Sequence, residues 1–330
     1  MKKKIISISG VILFPILLFF IFMTLSGGKL SFASVPLLLS QSMIPAMLGL
    51  SMAVLMQCGL MDFSVGCRVI FACAMGNWFA DLMGLPGFIL GVIIGAAVIS
   101  LGVALCYRYL KIPSMVVSMG FVLLGEIAGY YVADIVGERG GMFYDAGIVA
   151  PFAYPWNILW VAVAGVFFYF VMYRTKLGAH IGAIGDDEVL ASSLGVSPAN
   201  TKTWAYMLSA VFVAIAAFIQ VGSVGIVSLT LNMGTMNMVF QPMMGVIIGM
   251  TLLSLWNNFP VMVVMGELCI TIIFNGLLSL GLSDSWQNVF LGLFMFAVLG
   301  ISGNIPRVRE WQRKIHVRKT GPDAYLPQGK

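Results

Sequence analysis

The sequence has very little charge. Only 9% of its 330 residues are Asp, Glu, Lys or Arg, and two are histidine. Because an ordinary soluble domain is about one quarter charged, a fold with a fully solvated surface is excluded. Disorder is excluded too, since 60% of the residues are hydrophobic. At about 20 apolar residues per bilayer crossing, the length can hold around ten helices. The composition therefore predicts an all-α, polytopic membrane helix bundle.

Sequence motifs for bond-breaking chemistry are also absent. The chain has no GxxxxGK[ST] loop, no HExxH helix and no nucleophile elbow. His180 and His316 have no plausible metal-binding partner, and the five cysteines form no CxxC pair. We therefore expect no enzyme activity, bound cofactor, metal or disulfide framework in this chain. Transport, signalling and scaffolding are the function classes left open.

Apolar runs interrupted by Gly, Pro and charged residues predict ten membrane spans. They cover residues 5–26, 35–60, 63–82, 86–107, 112–135, 154–173, 203–224, 235–255, 259–280 and 285–302. Fifteen of the 18 lysines and arginines fall on the side of the N-terminus and two on the opposite side. By the positive-inside rule, both termini are cytoplasmic.

A basic tail, 305–330, follows the predicted transmembrane domain, 1–304. Between 305 and 315 its apolar residues have helical spacing with cations between them. This pattern indicates either a short helix on the anionic inner leaflet or a solvated tail. The distribution of the cations, rather than the net charge of +5, thus indicates orientation in a membrane and contact with lipid, and we expect no nucleic-acid partner.

Charged side chains inside the predicted spans are costly to bury and therefore point to structural or functional sites. Two of them, Glu126 and Glu267, belong to polar stripes with helical spacing. Their candidate path residues are Ser118, Glu126, Glu267, Thr271 and Asn275. Such a stripe must face the bundle interior or water, so it indicates either a substrate path or hydrogen bonds between helices.

A second group of polar residues begins the third span. Asp62 and Ser64 come just before Gly66, with Arg68 one helical turn further on. Asp and Ser are favoured residues at a helix N-cap. We interpret this group as a structural motif rather than a substrate contact.

The inner loop 174–202 contains the most specific pattern, which predicts one short helix over 183–196. Acidic residues suit its N-terminus, an apolar patch follows, and a glycine ends it. The candidate residues are Ala183, Gly185, Asp186, Asp187, Glu188, Val189, Leu190, Ala191, Leu194 and Gly195. An apolar patch on a short helix must dock, either on its own bundle or on a partner.

These segments together resemble the membrane permease subunits of ABC importers of the ribose (monosaccharide) type. The loop resembles A-x-G-x-N-x-x-A-A-x-x-x-G-I, with matches at Ala183, Gly185, Ala191 and Gly195 and with Asp187 where Asn is usual. Residues 59–66 resemble G-G-I-D-L-S-V-G, and 112–114 resemble the opening of the family's fifth helix. Residues 275–292 resemble N-G-L…W-Q…G. The matches run in order from about residue 40 to 302.

The resemblance implies an architecture of several subunits in a bacterial cytoplasmic membrane. Two permease subunits would pair, and two cytoplasmic ATPase subunits would hold the ATP and Mg. A solute-binding protein would deliver the ligand, a sugar or nucleoside-like metabolite, with the loop 137–145 as its suggested contact. Residues 183–196 would be the cytoplasmic coupling helix, which transmits the motion of the ATPase to the bundle. Residues 186–188 would orient this helix, and Val189, Leu190 and Leu194 would dock on the ATPase. Residues 239–258 lack most glycines and acids of the family, which favours a heterodimer.

Two other functions are kept as alternatives. An ion-coupled secondary transporter would use Glu126 and Glu267 as proton or cation sites. A non-transporting structural half of a heteromeric permease would use its polar stripes only for packing. The sequence names neither the ligand nor the partner subunit.

Overall fold

The structure is a computed structural model. It describes residues 2–138, 141–252 and 258–282, together with Trp286, Val289, Gly292, Leu293 and Phe296. The side chains of 2–12 and 251–252 are not described. The chain divides into two units, Met1–Gly281 and Leu282–Lys330. In the second unit, the five single residues named above are helical. Most of the predicted tenth span and all of the tail 305–330 lie outside the described residues.

The first unit is made almost entirely of helices. They are α1 (Lys2–Leu25), α2 (Val35–Gln57), α3 (Val65–Met83), α4 (Leu85–Leu110), α5 (Ser114–Ile135), α6 (Ala146–Val149), α7 (Trp156–Arg174), α8 (Lys176–Asp186), α9 (Glu188–Ser193), α10 (Pro198–Val224), α11 (Asn237–Leu252) and α12 (Phe259–Ser279). Two 3-10 turns, Phe32–Ser34 and Gly234–Met236, precede α2 and α11. Two-residue strands, β1 (Met142–Phe143) and β2 (Ile226–Val227), pair antiparallel.

Six helices of the described residues are long and apolar enough to cross a membrane: α2 with its preceding turn, α4, α5, α7, α10 and α12. The described apolar part of α1, Leu13–Leu25, is shorter, and α11 has 16 residues. Helix α3 has the length, but its 19 residues include Arg68, Asn77 and Asp81. The predicted all-α polytopic bundle agrees with this architecture, and each of the first nine predicted spans coincides with a helix.

Helices α3 and α4 pack closely through glycines. Gly87, Gly91 and Gly95 recur every fourth residue of α4, so they lie on one face of that helix. A Cβ at Gly95 would lie 2.9 Å from the Cα of Ala72, and one at Gly91 would collide with the carbonyl oxygen of Met75. This stripe of small residues lets the two backbones approach as they do in many membrane helix pairs.

The described residues between α5 and α7, which lie outside the predicted spans, are held by side-chain contacts. The Glu138 carboxylate accepts hydrogen bonds from Asn77 Nδ2 (2.9 Å) and from the backbone N–H of Phe143 (2.8 Å). Phe152 stacks on Phe218 of α10 with ring centroids 4.9 Å apart. These contacts fix β1 beside β2, at the C-terminal end of α10.

Candidate functional site

The loop between α7 and α10 contains two helices, α8 and α9, so the prediction of a single helix over 183–196 is wrong. Asp187 has extended backbone (φ −156°, ψ 107°) between them. Its Oδ1 accepts hydrogen bonds from the N–H groups of Val189 and Leu190, both at 2.9 Å. A side-chain cap of this kind satisfies donors at the start of a new helix. The chain therefore ends α8 at Asp186 and starts again at Glu188.

Helix α8 lies against the end of α2. A Cβ at Gly185 would collide with the carbonyl oxygen of Gln57, so only glycine permits this approach. Ile181 and Ile184 are buried, whereas Ala183 is exposed. Asp186 is the last residue of α8 and does not lie at a helix N-terminus, contrary to the prediction that placed all three acids there.

Helix α9 exposes an apolar face, which we call the α9 face: Val189, Leu190 and Leu194. Their side chains are 80%, 58% and 75% exposed. The predicted patch also included Ala191, but this residue is buried and packs inward. Gly195, just beyond the helix, has a φ of +88°, which favours glycine.

An ion pair joins α9 to the bundle. Lys202 Nζ on α10 lies 2.8 Å from Glu188 Oε2 and donates to the Tyr107 hydroxyl at 3.1 Å. The same ammonium lies 5.5 Å from the centre of the Tyr107 ring. Sequence reasoning did not select Lys202 or Tyr107 as site residues. The available signal was a lysine within the first turns of an apolar helix.

The motif before α3 forms a buried polar network. Asp62 and Arg68 make an ion pair whose side chains have no exposed surface. Asp62 Oδ1 also accepts from the N–H (2.8 Å) and hydroxyl (2.6 Å) of Ser64, which occupies the N-cap position without capping the helix itself. Arg68 Nη1 donates to Ser100 (3.0 Å) and Ser209 (2.8 Å), so the network joins α3, α4 and α10.

Glu126 binds the chain that precedes α11. Its carboxylate accepts hydrogen bonds from the N–H groups of Met233 (2.9 Å) and Thr235 (2.8 Å) and from the Thr235 hydroxyl (2.7 Å). A Cβ at Gly66 would collide with the carbonyl oxygen of Thr235, so this glycine lets the same turn approach α3. Ser118 accepts from the Phe63 N–H at 3.1 Å. Ser118 and Glu126 thus connect helices to loops.

Glu267 occupies a pocket between two glycines of neighbouring helices. A Cβ at Gly49 of α2 would lie 2.8 Å from Glu267 Oε1, and one at Gly245 of α11 would overlap the carboxyl group. The residue has no exposed surface. Within the described parts of the chain, neither carboxyl oxygen has a hydrogen-bond partner.

A cluster of uncharged polar side chains, the amide cluster, joins α2, α11 and α12. It consists of Gln41, Gln241, Thr271 and Asn275. Asn275 Nδ2 donates to Gln41 Oε1 (2.9 Å), and Gln241 Nε2 donates to Thr271 Oγ1 (3.3 Å). Thr271 is buried, Asn275 and Gln241 are half-buried, and Gln41 is exposed. The cluster therefore reaches the surface of the unit through Gln41.

The five candidate path residues do not form one cluster. Thr271 and Asn275 belong to the amide cluster, Glu267 lies one turn of α12 before Thr271, and Ser118 and Glu126 contact other segments. Gln41 and Gln241 were missed, because single amides in apolar runs carry little signal. No three His, Cys, Asp or Glu side chains among the described residues are placed to hold a metal ion.

Comparison with known proteins gives one family match. Residues 35–299 match the family model described as "Branched-chain amino acid transport system / permease component". The galactose/methyl galactoside import permease protein MglC of Escherichia coli (strain K12) is 25% identical over 294 residues, covering 82% of this chain and 86% of the relative. The fructose import permease protein FrcC of Rhizobium meliloti is 22% identical over 303 residues, covering 88% and 81%. No solved structure matches the chain.

Proposed function

The chain belongs to the ABC-transporter permease family whose model covers residues 35–299, and from this premise we propose that it imports a neutral, hydroxyl-rich solute such as a monosaccharide. The resemblance to sugar permeases stated from the sequence is confirmed, since the relatives are named as galactose and fructose import permeases. The chain is a multi-pass protein of the inner membrane. It is a transport subunit rather than an enzyme.

The observation that carries the proposal is the α9 face. Two of its exposed apolar side chains lie on a helix of six residues, and the third belongs to the C-cap residue Leu194. A helix of six residues is too short to be stable by itself. The Asp187 cap stabilises the start of that helix, and the Glu188–Lys202 ion pair holds the helix against the bundle. An exposed apolar surface such as the α9 face suits a groove in a partner protein, and we assign that groove to a cytoplasmic ATPase.

The solute class follows from the amide cluster. Its side chains provide hydrogen-bond donors and acceptors but no charge. A site built from amides and a hydroxyl pairs well with hydroxyl groups and offers no counter-ion to a charged ligand. Thr271, Asn275, Gln41 and Gln241 are therefore the residues that we expect to contact the solute, whereas Ser118 and Glu126 hold the bundle together.

The proposed topology has ten spans with both termini in the cytoplasm. It is supported by the nine long helices of the first unit and by the fifteen cations on one side. In this orientation α8 and α9 are cytoplasmic, and the paired strands β1 and β2 face outward.

The proposed assembly contains a second permease subunit and two ATPase subunits that hold ATP and Mg. A solute-binding protein would deliver the ligand to the outer face, where 137–145 is the suggested contact. A heterodimer is favoured over a homodimer by the missing glycines and acids of 239–258. ATP-driven closure of the two ATPases would move α9, and the ligand would bind one of two bundle states more tightly.

The ion-coupled alternative is weakened at Glu126, one of the two carboxylates proposed to bind the ion. Glu126 already accepts three hydrogen bonds from the protein, so it is poorly placed to bind a transported ion. Glu267, whose oxygens have no partner among the described residues, is the group on which that alternative now depends. The non-transporting alternative predicts that changing Thr271 or Asn275 leaves uptake unchanged.

Uptake of radiolabelled galactose and fructose by vesicles that contain the complete importer tests the proposal. Leu190→Asp places a charge on the α9 face, and we expect loss of ATP-driven uptake and of ATPase copurification, with membrane insertion intact. Ser192→Asp adds the same charge to the same helix outside that face and serves as the control. Uptake that continues without an ATPase and stops with an ion gradient would instead identify a secondary transporter.

A further inference from the structure

The chain between β2 and the 3-10 turn before α11 is not helical. Residues 228–232 have neither helical nor strand structure, and Asn232 and Met233 have left-handed backbone with φ of 59° and 64°. One end of this segment follows β2, which pairs with β1 beyond the C-terminus of α5. The other end is held by Glu126. Residues 228–233, the connecting segment, therefore run alongside α5.

The position of Glu126 gives the depth that this segment reaches. Glu126 lies nine residues before the end of α5 at Ile135, a distance of about 14 Å along the helix axis. The apolar core of a bilayer is about 30 Å thick. Because α5 is itself a membrane-spanning helix, the inner end of the connecting segment lies near the middle of the membrane.

The backbone of the connecting segment has unsatisfied donors. Over the described residues, none of the N–H groups from Leu229 to Asn232 donates a hydrogen bond to the protein. Ser228, Thr230 and Asn232 are exposed, and all three carry a hydroxyl or an amide. Irregular backbone with free donors does not face lipid at membrane depth, because nothing in lipid can accept its hydrogen bonds.

We propose that the connecting segment lines a water-filled translocation path and that Ser228, Thr230 and Asn232 contact the transported solute there. Naming the solute as neutral and hydroxyl-rich rests on the proposed function. Water satisfies the free N–H groups when the path is empty, and solute hydroxyls replace that water as the solute passes. The hydroxyl and amide side chains provide donors and acceptors without charge.

The same geometry assigns positioning roles to two residues of the sequence motifs. Glu126 holds the turn at Met233 and Thr235, and Gly66 leaves room for the carbonyl of Thr235. Both fix the inner end of the connecting segment against α5 and α3. The glycine that ends the 59–66 motif therefore shapes the wall of the path without touching the solute.

Cysteine modification of the complete importer in intact cells tests the proposal. The variants are Thr230→Cys and Asn232→Cys, and the matched control is Val166→Cys on α7, an apolar position that is 71% exposed. The probes are a charged, membrane-impermeant thiosulfonate and the membrane-permeant N-ethylmaleimide. Wild type is the background, because four of the five native cysteines are buried and Cys106 is half-buried.

We expect the charged reagent to modify the two segment variants about tenfold faster than the α7 control or more, because only water carries it to its target. We also expect modification to block ATP-driven uptake of galactose and fructose. Rates no faster than the control, or spontaneous disulfide-linked dimers of Asn232→Cys, would overturn the proposal, since lipid or a second copy would then cover the segment.

The experiment separates this proposal from the function on which it rests. Fast modification that leaves uptake unchanged would overturn the path and leave the importer assignment standing. If the unmodified importer shows no ATP-driven uptake of any sugar tested, the solute assignment itself fails. Water access to the segment is measured independently of uptake in both cases.

Discussion

Arg68 and Asp62 carry opposite charges with no exposed side-chain surface, inside a bundle that has few charges at all. Burying either group alone is costly, and their attraction offsets that cost only while both are present. Ser64, Ser100 and Ser209 provide further hydrogen bonds to the pair. The network therefore fixes how three helices meet.

Removal of one partner should destabilise the protein more than removal of both. Arg68→Met leaves the Asp62 carboxylate buried and unpaired, and we expect a loss of about 3–5 kcal/mol in unfolding free energy. The double variant Asp62→Asn, Arg68→Met should recover most of it. Thermal unfolding of the purified protein in detergent measures both. A double variant as unstable as the single one would contradict this account.

Glu126→Gln should loosen the connecting segment. Glutamine keeps one acceptor oxygen but turns an NH2 donor toward an N–H donor of Met233 or Thr235, so one buried bond is lost at a cost of about 1–3 kcal/mol. We expect faster hydrogen exchange at 229–236. The control is Ser118→Ala, on the same helix as Glu126. It removes the hydrogen bond that Ser118 accepts from the Phe63 N–H and should leave hydrogen exchange at 229–236 unchanged.

At this scale the sequence identified which residues are unusual but not what they contact. Glu126, Glu267 and Arg68 stand out because charge is costly in a membrane. Their partners come from distant positions: Glu126 meets Thr235, and Glu267 meets Gly49 and Gly245. Helix rotation decides such contacts, and apolar residues all around a helix leave its rotation unmarked in the sequence.

At the scale of elements, the break between α8 and α9 shows the limit of pattern reading. Three consecutive acids look like the first turn of one helix. In the structure Asp187 caps α9 while Asp186 ends α8. Asp187 stands where the resembled family has Asn, and both are strong N-cap residues. A residue of this kind at position 187 therefore indicated a helix N-cap, but the pattern of the whole segment favoured one continuous helix.

Asp187→Ala should weaken α9. The variant loses two capping hydrogen bonds, which corresponds to about 1 kcal/mol of helix stability. We expect faster hydrogen exchange over 188–193 and reduced ATP-driven uptake. Asp187→Asn keeps a capping oxygen and should behave like the wild type. Equal uptake in the alanine and asparagine variants would show that the cap does not serve coupling.

Lys202→Met should reduce coupling without dissociating the ATPase. The carboxylate of Glu188 in this ion pair is half exposed. We therefore expect loss of the pair to destabilise the observed position of α9 by about 0.5–1 kcal/mol. That energy corresponds to a decrease in uptake of about two- to fivefold. Lys202→Arg should restore uptake. The ratio of ATP hydrolysed to solute imported is the readout, since a merely structural defect would lower both together.

At the scale of the whole molecule, composition and apolar runs predicted the helix bundle and the positions of nine helices. The two short strands were not predicted, because two-residue segments carry no periodicity. The amide cluster was predicted only on α12, since its other members come from α2 and α11. The order of helices was therefore readable from the sequence, and their mutual contacts were not.

The proposed orientation is testable by labelling from opposite sides. Phe143→Cys on β1 should react with a charged thiol reagent in intact cells, and Ser192→Cys on α9, outside the α9 face, only in inside-out vesicles. Phe143 is 62% exposed, and Ser192 is exposed as well. The native Cys58 is buried, which shields its thiol from the reagent. Reversed labelling would invert the topology.

The close packing of α3 on α4 has a consequence for biogenesis. Helix α3 carries a buried arginine and is not apolar enough to count as a span by itself, whereas α4 is the most hydrophobic span of the described chain. The glycine stripe of α4 offers α3 a surface as soon as both have left the ribosome. The two helices should therefore enter the bilayer together as a hairpin. A bulky residue at Gly91 would collide with the backbone of α3 and should therefore lower the amount of protein inserted in the membrane, which immunoblots of membrane fractions measure.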